Sequence, residues 1–189
     1  MKYQRLFTLN VMALCCALGL LTKKMINPFA NVITEALHIP GGISAGFSIM
    51  FLVIAAELVQ TPRSGAMMGT VQGLLALAMG RVGSMGLLSP IGYIMPGLAI
   101  DLVYRLLPRG KTSQTGRMVL ANGAAAVMAS ATANMIVFHL EGPALWLYLC
   151  VSLTSGTLYG FLGSSIVTHL SRAFSQYQSC GRRYHYEEA

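Results

Sequence analysis

Long stretches without a charged residue divide the chain, and their lengths constrain its fold more than any other feature. There are six such stretches. The shortest hold 17 residues, as between Arg5 and Lys23, and the longest, between Glu141 and Arg172, holds 30. A helix needs roughly 17–25 mostly apolar residues to cross the hydrocarbon core of a bilayer. The sequence therefore predicts six membrane-spanning helices, at Leu6–Leu21, Ile43–Val59, Gly65–Met79, Leu87–Leu107, Met118–Leu140 and Ala144–Leu170.

The composition fits a lipid environment. Hydrophobic residues make up 54% of the 189 residues and charged residues 10%, against roughly 25% charged residues in a soluble domain. The mean hydropathy is +0.61. So few charged side chains cannot cover a water-facing surface, which excludes a soluble enzyme and a disordered regulator. The predicted fold class is an all-α polytopic membrane protein. The four cysteines show no metal-binding spacing, so we expect no metal site and no cofactor.

The distribution of basic residues predicts the orientation of the spans. With both termini inside, ten Lys and Arg residues lie inside and three lie outside. Cytoplasmic segments carry the excess of basic residues in membrane proteins, so both termini are predicted to be cytoplasmic, in a bacterial plasma membrane. Residues 1–172 would form the membrane domain and residues 173–189 a cytoplasmic tail. The net charge of +7 then reflects topology and anionic headgroups rather than nucleic acid.

The link between the first two spans is the longest outer connection. Ile26–Gly42 is half apolar and ends in Pro-Gly-Gly. A solvated loop would be more polar, and loops longer than about 12–15 residues in a compact domain are usually functional. We therefore expect residues 26–42 to fold back over the outer face as a candidate lid.

Few residues in the spans suit proton transfer or catalysis. Glu57 and Asp101 lie near inner span ends, where cytoplasmic-interface salt bridges are expected; Arg105 follows Asp101 by four residues, which favours an ion pair. No carboxylate lies at mid-depth, which weakens the alternative of a stand-alone, gradient-driven permease. Ser165 and His169 lack an evident third orienting group for nucleophilic catalysis. An intramembrane enzyme is the least favoured hypothesis, and we expect that the chain is not an enzyme.

Polar and aromatic residues are richer in the outer halves of the spans. This combination suits a small organic ligand, since aromatic rings stack on it and a few amides and charges orient it. The candidate substrate-binding residues are Asn31, Glu35, His38, Arg81, Tyr93, Asn134, His139 and Trp146. Tyr93 and Trp146 are equally typical of an interfacial aromatic belt, so both interpretations stay open for them.

Small residues recur at helical spacing in three spans. The first span contains Ala13 and Ala17, the third contains Gly65, Gly69 and Gly73, and the sixth contains the segment 155–163, Ser-Gly-Thr-Leu-Tyr-Gly-Phe-Leu-Gly. Such faces let helix backbones approach closely, within one chain or between chains. The third span is short, and we expect it to pack against neighbouring helices rather than lipid.

Together these features resemble the substrate-binding subunit (S-component) of an energy-coupling-factor (ECF) vitamin transporter. Within that family the chain is most similar to the YkoE-like hydroxymethylpyrimidine and thiamine permeases. The similarity covers most of residues 6–170. It is carried by Ala13-x-x-x-Ala17, Asn31-Val32, Ser64-Gly65-Ala66, Gly97-Leu98-Ala99 and the segment 155–163.

The resemblance implies a division of labour. An S-component captures a vitamin or precursor from outside, beneath the loop after its first span, and docks through the Ala13/Ala17 face on a membrane coupling subunit that carries two cytoplasmic ATPases. The chain has no Gly-x-x-x-x-Gly-Lys-Ser/Thr phosphate loop, which agrees with an energy source in a partner. One departure concerns the ligand. The thiamine-type pattern places carboxylates in the third span, where this chain has Thr70 and Gln72, which counts against thiamine; Arg81 and His139 favour an acidic or metal-binding ligand.

Overall fold

A computed structural model describes residues 2–37, 43–59, 61, 63–80, 86, 88–108, 110, 112–136, 139 and 141–187 of the chain. Within these, the side chains of residues 2–5, 7, 27, 30–31, 33–37, 43–44 and 173–187 lie outside the description. The described chain is helical throughout its ordered elements. The helices are α1 (Lys2–Leu37), α2 (Ile43–Val59), α3 (Ser64–Ala78), α4 (Ser89–Leu106), α5 (Gln114–Ile136) and α6 (Pro143–Glu187). The prediction of an all-α fold is confirmed.

Three helical segments are long and apolar enough to cross a membrane. They are Thr8–Ile26 in α1, Gln114–Ile136, which is the whole of α5, and Pro143–Arg172 in α6. Two further apolar segments, Ala45–Val59 and Ser64–Ala78, are shorter. The chain therefore has the helices of a membrane protein, by length and composition.

Helix α2 lies at the centre of the bundle and contacts each of the other five helices. Its sequence is apolar on every side rather than on one stripe, which is the pattern of a fully buried helix. From Gly46 to Glu57 each residue is buried except Phe47 and Phe51, which are partly buried. The phenylalanine rings pack edge to face, 5.7 Å apart, and Phe47 packs in the same way on Tyr159 of α6. Helix α2 thus forms the core around which the others are arranged.

The exterior of the bundle is apolar and much of its interior is polar. Every helix except α2 exposes large hydrophobic side chains, such as Leu14 (63% exposed) on α1 and Leu158 (66%) on α6. Buried polar side chains include Ser48, Gln72, Asn122 and Ser152. Lipid tails accept exposed leucine without cost, whereas polar groups in a membrane protein face other helices. This distribution of side chains fits a bundle surrounded by lipid.

Glycines bring α3 and α4 into backbone contact. A Cβ atom built on Gly97 would lie 2.4 Å from the carbonyl oxygen of Gly65, and one built on Gly69 would lie 2.5 Å from the carbonyl oxygen of Tyr93. Larger residues could not fit at this crossing, because the obstacle is backbone and cannot rotate away. The glycine face of the third span thus packs on α4 as expected, but the opposite face exposes Met67, Val71 and Leu74, so the expectation that this span packs on neighbours rather than lipid holds for one face only.

We expect Gly69→Ala to destabilise the protein by about 1–3 kcal/mol, since α3 and α4 must separate to admit the methyl group. Gly123→Ala on α5 is the matched control, because its added Cβ would meet only the side-chain ends of Thr157 and Leu153, at 3.3 and 3.4 Å. Thermal unfolding in detergent measures the difference. Equal melting temperatures for the two variants would contradict the close crossing.

The long outer link differs from the predicted loop. Residues 26–37 continue α1 as helix through Pro28, so the candidate lid 26–42 is helical over most of its length. Between Phe29 and Leu37 the sequence contains no glycine or proline, and the Pro-Gly-Gly break begins only at Pro40, which explains why the helix persists. The remaining residues 38–42 lie outside the described chain. At the other end, α6 extends through Glu187 and so includes most of the predicted tail.

Candidate binding site

The ring of Tyr93 on α4 makes a cation–π contact with Lys23 of α1 at the predicted outer end of the bundle. The ammonium nitrogen of Lys23 lies 4.0 Å from the centroid of the Tyr93 ring, within the range of an attractive cation–π interaction. Lys23 follows Cys16, Gly19 and Leu20 on the buried face of α1, so the helix directs it into the bundle. From the sequence, Lys23 was predicted only to be one of the three outer basic residues. It follows Cys16, Gly19 and Leu20 by seven, four and three residues, and this helical spacing is the signal for an inward direction.

Asn134 is buried near the end of α5, and its amide is bound within its own helix. The side-chain nitrogen donates to the backbone oxygen of Ser130, at 2.9 Å, and to its hydroxyl, at 3.1 Å. These two hydrogen bonds satisfy and orient the buried amide, which lies two residues before the end of α5. Asn134 is therefore a fixed polar group near the carboxyl end of α5, which is its predicted outer end.

The other predicted site residues are either exposed or outside the description. His139 is exposed and has a left-handed backbone, with φ of 46°, and Trp146 on α6 is 69% exposed. No hydrogen bond or ring contact joins Asn134, His139 and Trp146 to one another within the described residues. Asn31 and Glu35 belong to the helical extension of α1, with side chains outside the description; His38 and Arg81 lie outside the described residues altogether.

Two buried amides that sequence analysis did not select connect different helices. Asn122 of α5, which is fully buried, donates to the backbone oxygens of Gly156 on α6 and Gly46 on α2, at 2.7 and 3.3 Å. Gln72 of α3 donates to the backbone oxygen of Cys16 on α1, at 3.1 Å. Both amides lie among small residues, whose short side chains leave the backbone oxygens of neighbouring helices accessible. An asparagine or glutamine within a segment of small residues is the sequence signal that would have identified both contacts.

A buried ion pair holds α2 and α5 together at the predicted inner end. A terminal guanidinium nitrogen (Nη2) of Arg117 lies 2.6 Å from Oε1 of Glu57, and both side chains are 4% exposed. The guanidinium carbon lies 5.9 Å from the centre of the Tyr104 ring on α4. The ion pair expected for Glu57 therefore exists, with a partner 60 residues away in the sequence.

Asp101 has a different role from the one predicted. Its two carboxylate oxygens accept hydrogen bonds from the backbone N–H groups of Gly65 and Ala66, at 2.9 and 2.8 Å. The first N–H groups of a helix lack acceptors within the helix and attract negative charge, so Asp101 caps α3. The predicted pairing with Arg105 is wrong, because the described residues contain no ion pair between these two side chains and Arg105 is exposed.

Several cavities open on the described surface. One, of about 1060 Å³, is a groove along α6 that includes Leu158, Ser165 and His169. Two more lie on either side of Glu57 at the predicted inner end of the bundle and measure about 410 and 780 Å³. In the groove, the Ser165 hydroxyl donates to the backbone oxygen of Phe161 at 3.3 Å, so its hydrogen is directed at its own helix rather than at His169.

The small-residue segments fall into two groups. Gly156 and Gly160 of α6 pack on α5, and Gly163 packs on Met50 of α2, as the α3 glycines pack on α4. Ala13 and Ala17, in contrast, are exposed. They belong to a stripe of α1 that repeats every three or four residues and faces away from the bundle; the exposed apolar members of this α1 stripe are Leu6, Leu9, Ala13, Leu14, Ala17, Leu18, Leu21 and Met25.

Comparison with known proteins found no matching family model, no matching curated protein and no matching solved structure.

Proposed function

We propose that the chain is a multi-pass protein of the bacterial plasma membrane with six spans and both termini in the cytoplasm. The three long apolar helices support the membrane location. The short α2 is compatible with a span because it is enclosed by the other helices and meets little lipid. The excess of basic residues in the predicted inner segments supports the orientation.

Within the membrane, the chain acts as the substrate-binding subunit of an ECF-type ABC importer. It captures a small vitamin or vitamin precursor from outside and delivers it through a partner coupling subunit with two ATPases. The observation that carries this proposal is the exposure of Ala13 and Ala17 on the α1 stripe. The glycine segments of α3 and α6 are used in packing within the chain, so the Ala13/Ala17 face is the small-residue surface left for a partner helix.

The ligand is held at the outer end of the bundle, beneath the extension of α1. Tyr93 supplies an aromatic face, Asn134 a fixed amide, and Lys23 a positive charge that no described carboxylate neutralises. A cation directed into the bundle favours a ligand with an acidic group. This agrees with the absence of carboxylates in α3, whose residues Thr70 and Gln72 are neutral.

The alternative is a stand-alone permease driven by an ion gradient. One observation favours it: Glu57 is a buried carboxylate, and buried ionisable residues in membrane proteins commonly serve ion pathways. Its pairing with Arg117 supports a structural role instead. The intramembrane enzyme receives less support, since Ser165 is exposed and its hydroxyl donates to its own helix.

Native mass spectrometry of the detergent-purified chain tests the proposal. We expect one vitamin-sized molecule to be retained, because subunits that capture scarce solutes bind them tightly, and the molecule can be identified after denaturation. We also expect a complex with a coupling subunit and two ATPases when these are co-expressed. Absence of any retained ligand, with none recovered from a vitamin panel, would favour the gradient-driven permease.

A further inference from the structure

The groove along α6 extends from Val151 to Arg172 and ends at the predicted inner side of the bundle. It has a volume of about 1060 Å³ and is lined by one face of α6 and by Thr115 of α5. Leu158 precedes Arg172 by 14 residues, so these two residues lie about 21 Å apart along the helix axis. One leaflet of a bilayer, with its headgroups, is about 20–22 Å thick. This part of the groove therefore matches the length of a single lipid molecule.

The wall of the groove is suited to a hydrocarbon chain. The large side chains along it include Leu158, Phe161 and Leu162, and all three are exposed. Six serine and threonine residues also line it, but the hydroxyl group of each is already hydrogen-bonded within the protein. Thr115 and Ser164 bind each other at 2.7 Å, and backbone oxygens of α6 accept from Thr154, Ser155, Ser165 and Thr168. Hydroxyl groups that are satisfied in this way offer little to a polar solute.

The inner end of the groove is basic. It is formed by His169 and Arg172, which are both exposed and are three residues apart, so they lie on one face of the helix. None of the described residues that line the groove is acidic. The 410 and 780 Å³ cavities, in contrast, both include the Glu57 carboxylate. Basic groups at the cytoplasmic end of a membrane-facing groove are suited to the headgroup of an anionic lipid.

A partner helix fits this face of α6 less well than a lipid does. Helices in membranes approach each other closely over small residues. The glycines of α6 are used within the chain, since Gly156 and Gly160 pack on α5 and Gly163 packs on α2. The groove instead carries exposed side chains as large as Leu158 and Phe161. A flexible acyl chain can follow such an uneven surface, whereas the backbone of a helix is held away from it.

We propose that the groove binds one anionic phospholipid of the cytoplasmic leaflet, with its phosphate at His169 and Arg172 and an acyl chain along Phe161 and Leu158. The basic end selects the charge of the headgroup, and the apolar wall holds the chain. The site relies on the proposed membrane location and orientation. It is separate from the outer ligand site and does not depend on the nature of the transported molecule.

Two pairs of variants test the two parts of the site. Arg172→Gln removes a charge from the headgroup end, and Arg105→Gln removes the same charge at an exposed position outside the groove. Ser165→Trp places a ring in the groove, and Leu74→Trp places the same ring on the exposed face of α3. Retention of phosphatidylglycerol should fall about fivefold in Arg172→Gln and to background in Ser165→Trp. It should change by less than about twofold in either control.

The full chain, delipidated in detergent, is incubated with phosphatidylglycerol or with phosphatidylcholine of the same acyl chains, and native mass spectrometry detects the retained lipid. Thermal unfolding checks that the four variants are folded, as expected for substitutions at exposed positions. We expect one phosphatidylglycerol to be retained in preference to phosphatidylcholine. Equal retention of the two lipids, or an equal loss in a variant and its control, would overturn the proposal and leave the groove to bulk lipid. A lipid-free dimer that Ser165→Trp abolishes would overturn it in favour of a second copy of the chain.

Discussion

Replacement of Ala13 and Ala17 together by tryptophan is expected to reduce uptake to background while ligand binding by the isolated subunit is retained. Both alanines are exposed on the α1 stripe, so the larger side chains point away from the described part of the bundle. A partner helix that approaches closely over small residues is kept away by an indole ring. Uptake is measured in vesicles that contain the chain with the proposed coupling subunit and ATPases, and binding is measured with the chain alone.

Leu74→Trp provides the control for this experiment. Leu74 on α3 is 58% exposed and belongs to a different helix from the α1 stripe, so the same ring is added to another outward surface. We expect uptake and binding to remain near those of the unaltered chain. A loss of binding in parallel with uptake in the double variant would contradict the docking role, as would unchanged uptake.

Breaking the Glu57–Arg117 pair has the largest expected effect on stability. Glu57→Leu or Arg117→Leu alone leaves one buried charge without its partner, which typically costs about 3–5 kcal/mol. The double variant leaves no unpaired charge, and replacement of both partners by apolar residues is often close to neutral. We therefore expect each single variant to lower the melting temperature strongly and the double variant to recover most of the loss.

A double-mutant cycle of unfolding free energies in mixed micelles measures this coupling. Arg105→Gln serves as the control for loss of a charge at the same end of the bundle, and we expect it to change stability by less than about 0.5 kcal/mol because Arg105 is exposed. Additive effects in the double variant would show that the two side chains act independently, contrary to the 2.6 Å contact between them.

Features encoded by local sequence were the ones that could be predicted. The bounds of α2, Ile43–Val59, agree with the predicted second span, because the stretch between Glu35 and Glu57 is both apolar and free of charge. The helical extension beyond Ile26 was not predicted, because residues 26–42 were expected to form a loop folded back over the outer face. A proline removes one helical hydrogen bond and bends the helix, but the helix-compatible residues that follow allow it to continue.

The polar contacts depend on which helices are neighbours, and the neighbours of a helix cannot be inferred from the spacing of residues in a single sequence. The spacing of Asp101 and Arg105 suggested an ion pair, yet Asp101 accepts a hydrogen bond from the N–H of Gly65, 36 residues earlier, and so caps α3. Glu57 and Arg117 are 60 residues apart, and Asn122 bridges residues on two other helices. Tyr93 and Asn134 were selected from the sequence because of their residue type and their predicted depth in the spans. The inward direction of Lys23 depends on which face of α1 is buried, and that is known only from the structure.

The central position of α2 also has a consequence for biosynthesis. In the proposed six-span topology, Glu57 is synthesised and inserted with α2 before Arg117 is translated, so the nascent chain carries a carboxylate whose counter-ion is still missing. A chain that stops before α5 would keep this unpaired charge in the membrane. Insertion of α5 would then neutralise it, so completion of the bundle and burial of the Glu57 charge are one event.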